Sequence, residues 1–85
     1  MQVETNDFNV RALRKRMRLT QKEFCRRFGF PLATLRHWER GDRRPTGPAL
    51  VLLNVVRHNP RAVSLAVRNA AFHQGLRDAR AHDFR

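Results

Sequence analysis

Several residue types are scarce in this 85-residue chain, and their scarcity limits its chemistry. Cys25 is the single cysteine, so no intramolecular disulfide forms and no thiolate metal site closes. Because it lies on the inner side of a predicted helix, we expect a small buried apolar residue rather than a redox group. Ser64 is the single serine, and no catalytic partner is evident for it. No residue pattern in the sequence therefore indicates an enzyme activity.

Metal ligands and long apolar runs are missing as well. The histidines share no ligand spacing and have no carboxylate pair near them: they are His37, His58, His73 and His82. We therefore expect no metal and no cofactor. No apolar stretch approaches the length of a membrane span, and no charged-then-apolar signal peptide opens the sequence. The expected location is the cytoplasm, with no membrane partner.

Acidic residues are few, whereas arginine is abundant. The chain has 18 Lys+Arg against 7 Asp+Glu, a formal net charge of +11 and a pI near 11.9. Such an excess makes a polyanion the expected partner, with nucleic acid ahead of membrane. Composition alone leaves open a merely soluble basic protein from a GC-rich genome, in which arginine replaces lysine.

Helical spacing runs through most of the chain, and no alternation typical of strands is present. The sequence therefore predicts an all-α fold, a compact five-helix bundle. Residues 1–7 are expected to be an N-terminal arm and residues 72–85 a tail that is partly helical or disordered. Residues 8–71 are expected to be one DNA-binding domain whose last helix dimerises. Within it, residues 41–48 contain two glycines and two prolines and are predicted to be a loop.

The most informative pattern lies between Thr20 and Trp38, where two short amphipathic helices are predicted around a tight turn at Gly29. Thr20 and Glu23 form a capping box at the first helix start. In the second helix Leu35 and Trp38 point inward. The opposite face is slim, polar and basic, with Ala33, Arg36, His37 and Arg40. A face of this kind suits insertion into a DNA major groove.

Three further helices are predicted around this pair. The first covers residues 8–18, with Asp7 or Asn9 as its cap. The next covers residues 49–57 and is apolar nearly all round, so more than one neighbour should cover it. The last covers residues 62–71, and Pro60 fits the first position of this helix. The predicted core contains Leu13, Phe24, Phe28, Leu35, Trp38, Leu50 and Leu53.

The sequence resembles the Xre-type (phage-repressor-like) helix-turn-helix family over about residues 10–63. Two motifs carry the resemblance: Thr-Gln-x-Glu-Phe-x-x-x-Phe-Gly from Thr20, and Thr-Leu-x-x-Trp-Glu-x-Gly from Thr34. The continuation from Gly41 to Leu50 is similar to small stand-alone regulators that include antitoxins of the host-inhibition-of-growth type. The resemblance implies a regulator that binds double-stranded DNA.

The resemblance also implies roles for single residues. One face of helix 3 would contact base edges and flanking phosphates through Leu32, Ala33, Thr34, Arg36 and His37. Gln21 would bind a phosphate. Arg14 and Glu39 would form a partly buried salt bridge between helices 1 and 3.

Two positions depart from the family pattern. Pro31 stands where Ser or Thr commonly opens helix 3, and Arg18 stands where Gly often ends helix 1.

The contacting helix has its own residue chemistry. Arg36 can bind guanine O6 and N7 with two hydrogen bonds, which discriminates by ~1–3 kcal/mol. His37 can donate or accept when neutral. The end of this helix and the loop after it suit phosphates better than bases, through Arg40, Arg43 and Arg44. The alternative for each residue is a solvated side chain without a DNA contact.

An apolar stripe in the last helix predicts a dimer interface: Val63, Ala66, Val67 and Ala70. The alternative is that the stripe packs on helices 1 and 4 of the same chain.

Three functions are compatible with these features of the sequence. The first is a homodimeric repressor bound to a palindromic operator, because one small domain contacts few base pairs. The second is an antitoxin that neutralises a partner ribonuclease toxin and represses its operon. The third is a nucleoid or RNA binder without sequence preference.

Overall fold

The computed structural model describes residues 8–79, with side chains described as far as Ala70. These residues form five helices, α1 Val10–Arg16, α2 Gln21–Phe28, α3 Leu32–Arg40, α4 Gly47–His58 and α5 Pro60–Ala79, and no strand. The prediction of an all-α fold with five helices is confirmed. The predicted N-terminal arm and the end of the predicted tail, residues 80–85, lie outside the described residues. None of the five helices has the length and apolar character needed to cross a membrane.

The helix ends follow from local side-chain chemistry. Asn9 caps α1 by accepting a hydrogen bond from the Ala12 amide at 2.9 Å. The Thr20 hydroxyl accepts from the Glu23 amide at 3.1 Å, and the Glu23 carboxylate accepts from the Thr20 amide at 2.8 Å, so the predicted capping box is present. After α2, Gly29 adopts the left-handed conformation with φ +82°. This residue ends the helix and starts the turn into α3.

Arg18, which departs from the family pattern, still forms the turn that glycine would form at the end of α1. Arg18 has φ +61°, the conformation that Gly would adopt without strain. Its amide donates to the Lys15 carbonyl at 3.0 Å, and the Leu19 amide donates to the Arg14 carbonyl at 3.4 Å. This pair of bonds is a Schellman motif. The glycine-type ending therefore forms with arginine at the left-handed position.

Several predicted boundaries differ from the structure. The loop predicted to reach residue 48 ends at Thr46, since Gly47 and Pro48 already belong to the first turn of α4, where proline is tolerated. The last helix begins at Pro60, as expected, but continues to Ala79 rather than ending at residue 71. Pro31 is the N-cap of α3 and makes no side-chain capping bond.

The core lies between α2 and its neighbours, with α2 packed on α3 and α5, α1 on α3, and α4 on α5. The buried residues are Val10, Leu13, Phe24, Cys25, Phe28, Phe30, Leu35, Leu53, Val56 and Val63. Of the predicted core, Leu50 and Trp38 are only half-buried. Trp38 nevertheless packs against the core, whereas the sequence interpretation omitted Phe30 and Val56. Cys25 is a buried core residue, as predicted, and desolvation raises the pKa of its thiol.

The apolar residues of α4, which the sequence predicts to be covered by more than one neighbour, are not all buried in the described part of the chain. Leu53 and Val56 are fully buried, but Val51 is 64% exposed and Val55 is 39% exposed. Only α5 packs extensively on this helix. One apolar side of α4 therefore stays in contact with solvent.

Candidate nucleic-acid interface

The helix α3 is fixed to the domain by apolar contacts along one face. Leu35 is fully buried, and the rings of Trp38 and Phe30 pack edge to face with centroids 5.4 Å apart. Phe30 in turn stacks on Phe24 at 5.9 Å. Since Phe30 belongs to the three-residue turn between α2 and α3, the turn itself is anchored in the core. The relative position of the two helices is thereby defined.

A polar network completes the attachment of α3. The Arg14 guanidinium donates to both oxygens of the Glu39 carboxylate, at 2.6 and 2.8 Å, so the expected pair is formed. The side chains are 12% and 6% exposed, respectively. Arg14 also donates to the Leu19 carbonyl at 2.9 Å, and the Gln21 amide donates to Glu39 at 3.1 Å. The hydrogen bond from Arg14 lowers the pKa of Glu39, and the same bond raises the pKa of Arg14.

Gln21 therefore has a contact that the sequence did not indicate. One hydrogen of its side-chain amide is donated to Glu39, which leaves the second hydrogen and the amide oxygen available. The capping box uses the amides of Thr20 and Glu23 but not those of Gln21 and Lys22. The start of α2 thus keeps two uncapped backbone donors beside the Gln21 side chain.

The opposite face of α3 carries most of the predicted base-contacting residues. Ala33 and Arg36 are exposed, while Thr34 and His37 are half-buried. Leu32 differs, because it is half-buried and packs against the core. Part of the Leu32 side chain is therefore already used for packing. Arg40, Arg43 and Arg44 are exposed beyond this face, and the loop is anchored by the buried Pro45.

Asp42 adds a carboxylate to this basic surface. Its Oδ1 atom lies 3.1 Å from Nδ1 of His37, and its Oδ2 atom lies 3.3 Å from Nε and from Nη2 of Arg40. Nη2 of Arg40 also lies 3.0 Å from Nδ1 of His37. The hydrogen bond with His37, together with Arg40, lowers the pKa of Asp42. The sequence interpretation missed this cluster, although Asp42 is the one acidic residue in the loop.

The residues predicted to form a dimer interface lie together but differ in burial. Val63 is 5% exposed and belongs to the core of its own chain, which agrees with the alternative interpretation for this residue, although α5 packs chiefly on α2 and α4 rather than on helices 1 and 4. Val67 is half-buried, whereas Ala66 and Ala70 are exposed. All four line a groove of about 400 Å³ between α4 and α5, together with Phe28, Leu52, Val55 and Ala62. Every residue that lines this groove is apolar.

Comparisons with known proteins agree with this architecture. A helix-turn-helix family model matches residues 10–55, which include α1, α2, α3 and most of α4. A search of curated proteins gives no match. Among solved structures, the crystal structure of an HTH XRE-family like protein from Agrobacterium tumefaciens matches with a TM-score of 0.65 and 36% sequence identity. The match covers 68% of this chain and 94% of that chain.

Proposed function

The chain belongs to the Xre-type helix-turn-helix family of DNA-binding transcription regulators, and from this premise we propose that it is a homodimeric repressor of an inverted-repeat operator. The observation that carries the proposal is the division of α3 into two faces. One face is committed to the core and to the Arg14 ion pair, and the other presents arginine and histidine to solvent. A helix held in this way can enter a major groove without rearrangement.

Base contacts in this proposal come from the exposed face of α3. Arg36 binds guanine, Ala33 and Thr34 contact neighbouring bases, and His37 lies one turn before the end of the helix. Leu32 contributes only the part of its side chain that is not packed. Since each protomer contacts few base pairs, two protomers are needed for a useful specificity ratio.

Phosphate contacts surround this face on two sides. On one side are the uncapped amides of Gln21 and Lys22, at a helix start that favours anions, with the second amide hydrogen of Gln21. On the other side are the exposed guanidinium groups of Arg40, Arg43 and Arg44. These contacts fix the position of the domain on DNA and carry no sequence information.

The dimer is supported by the apolar groove between α4 and α5. Val55 on one wall and Ala66 and Ala70 on the other are exposed in the single chain. Pairing of two such grooves across a two-fold axis removes these surfaces from water and repeats the contacting helix at about 34 Å, one turn of DNA. Occupation of the promoter by this dimer accounts for repression.

Selection of binding sites from random DNA tests the proposal. We expect an inverted repeat to be enriched, and we expect its affinity to fall by orders of magnitude between low and moderate salt. Arg43→Ala should weaken binding to all sequences about equally and lower the salt slope by about one. Arg36→Ala removes the same charge, but it should also abolish the preference at one base pair, worth ~1–3 kcal/mol.

Two results would contradict the proposal. The absence of any enriched sequence would favour a binder that uses charge alone. Enrichment of single, unrepeated half-sites would contradict the dimer. Repression itself is measured with the enriched site placed in the promoter of a reporter gene, where the chain should lower expression and the Arg36→Ala variant should not. A reporter whose expression is unchanged by the wild-type chain would contradict repression.

A further inference from the structure

Asp42 is a carboxylate on a surface whose proposed ligand is a polyanion. We propose that Asp42 is a positioning residue that determines specificity: it makes Nε2 of His37 a hydrogen-bond acceptor and so selects a base that presents an amino group, cytosine or adenine. This inference rests on the proposed function, because it assumes that His37 faces a base edge.

The backbone places Asp42 beside the last turn of α3. Gly41 has φ +88°, which ends the helix and turns the chain back, so that the next side chain reaches residues 37 and 40. Each oxygen of the carboxylate has its own partner, Oδ1 with His37 at 3.1 Å and Oδ2 with Arg40 at 3.3 Å. All three side chains stay partly exposed, so the cluster remains open to a ligand.

The two contacts at Nδ1 of His37 require opposite tautomers. A carboxylate only accepts, so the Asp42 contact requires a proton on Nδ1, which leaves a lone pair on Nε2 of the neutral ring. A guanidinium only donates, so the Arg40 contact at 3.0 Å requires a lone pair on Nδ1 and a proton on Nε2. One nitrogen cannot satisfy both neighbours at once. Asp42 and Arg40 therefore compete for the state of the ring.

DNA resolves this competition in favour of Asp42. Arg40 lies among the exposed arginines at the end of α3, and a phosphate draws its guanidinium away from His37. The Asp42 carboxylate is repelled by phosphate and stays with the imidazole. In the neutral ring the proton is then fixed on Nδ1, and Nε2 is left as an acceptor for a base edge. In the major groove cytosine N4 and adenine N6 are donors, whereas guanine presents two acceptors.

A spectroscopic comparison tests the tautomer without DNA. The variants Arg40→Ala and Asp42→Ala each leave His37 with one of its two neighbours. In ¹⁵N spectra at about pH 8.5, where free imidazole is neutral, we expect the proton on Nδ1 in Arg40→Ala and on Nε2 in Asp42→Ala. The same tautomer in both variants would overturn the proposal.

Binding measurements test the consequence for specificity. The base pair opposite His37 is the one at which His37→Ala relaxes the preference. There, at the same pH as the spectra, wild type and Arg40→Ala should favour cytosine or adenine on the contacted strand by about tenfold, and Asp42→Ala should lose this preference. A wild-type preference for guanine, or an Asp42→Ala effect that is equal for all sequences, would overturn the inference. If selection enriches no sequence at all, the proposed function fails, whereas the ¹⁵N comparison still decides the role of Asp42.

Discussion

Glu39 is the residue on which most of the polar packing around α3 depends. It accepts hydrogen bonds from Arg14 in α1 and from Gln21 in α2, and its side chain is 6% exposed. A buried ion pair contributes little compared with two apolar residues of similar size, but the loss of one partner leaves a charge that nothing compensates. The stability of the domain therefore depends on both partners being present or both being absent.

We predict that Glu39→Ala lowers the free energy of unfolding by roughly 3 kcal/mol, the lower end of the range for buried pairs. The double variant Arg14→Met/Glu39→Leu should recover most of this loss, because it removes both charges and fills the space. Urea unfolding followed by the fluorescence of Trp38, the single tryptophan, measures both effects. A double variant as unstable as Glu39→Ala would contradict this account.

The same pair predicts a dependence of stability on pH. The folded protein lowers the pKa of Glu39 below its ordinary value of 4.5, chiefly through the hydrogen bond from Arg14. The folded state therefore binds this proton less readily than the unfolded state, and the stabilisation is present above pH 4.5 and lost as the pH falls through the lowered pKa. Unfolding midpoints measured from neutral pH downward should decline more steeply for wild type than for Arg14→Met/Glu39→Leu. Parallel curves would show that other carboxylates dominate.

Arg18 is held in a conformation that a side chain makes unfavourable. Its φ of +61° costs a non-glycine residue about 1 kcal/mol, and glycine avoids this cost while gaining some freedom in the unfolded chain. We predict that Arg18→Gly raises the free energy of unfolding by about 0.5–1 kcal/mol relative to Arg18→Ala, which removes the same charge. Thermal unfolding of the two variants at one salt concentration measures the difference. Equal stabilities would mean that the turn relaxes when the side chain is shortened.

At the scale of elements, the turn between α2 and α3 is restricted twice at Gly29. The residue has φ +82°, and a Cβ atom placed on it would lie 3.2 Å from Cγ2 of Val67 in α5. Gly41 at the end of α3 has a similar φ of +88°, but within the described part of the chain a Cβ there would meet no atom of another element within 4 Å. A comparison of substitutions at the two glycines therefore separates the free-energy cost of the backbone conformation from the cost of steric crowding.

We predict that Gly29→Ala destabilises the domain more than Gly41→Ala, for which only the backbone cost of about 1–2 kcal/mol applies. The additional loss of stability arises from the contact with Val67. It should be smaller when Gly29→Ala is introduced into the Val67→Ala variant than when it is introduced into wild type. Denaturant midpoints of the four variants and wild type form the required cycle. Additive effects at residues 29 and 67 would show that α5 shifts to accommodate the added methyl group with no loss of stability.

The sequence predicts those parts of the elements that depend on residues three or four positions apart. The capping box at Thr20, the left-handed Gly29 and the two faces of α3 are of this kind, and all are present. The contacts of Asp42 escaped prediction because they depend on how Gly41 turns the chain after the helix. The sequence leaves the surroundings of Val63 undecided, because spacing on α5 does not say whether helices of the same chain or a second chain cover that face.

At the scale of the whole molecule, the groove between α4 and α5 determines how the proposed dimer is tested. Val67 is a poor position for a disruptive charge, because it packs against the core and lies close to Gly29. Ala66 is exposed and lines the groove, whereas Asn69 is exposed on the same helix and does not line it. These two residues provide a variant and its matched control.

We predict that Ala66→Glu gives a folded monomer whose affinity for the inverted repeat falls about 100-fold or more, because the second half-site no longer binds as part of one molecule. Asn69→Glu adds the same charge to α5 and should stay dimeric. Light scattering and helical circular dichroism at high micromolar concentration measure assembly and folding. A monomeric wild type, or an Ala66→Glu protein that remains a dimer, would contradict the proposed interface.

Apart from Leu32, the two faces of α3 consist of different residues, and this separation affects how the protein can change over generations. Leu35, Trp38 and Glu39 attach α3 to the rest of the domain, whereas Ala33 and Arg36 are exposed to solvent. Under the proposed function, a duplicated copy can therefore exchange Ala33 and Arg36 for other side chains and acquire a different set of target genes while its stability stays nearly constant. New regulatory circuits thus become accessible through single steps, with no unfolded intermediate in the lineage.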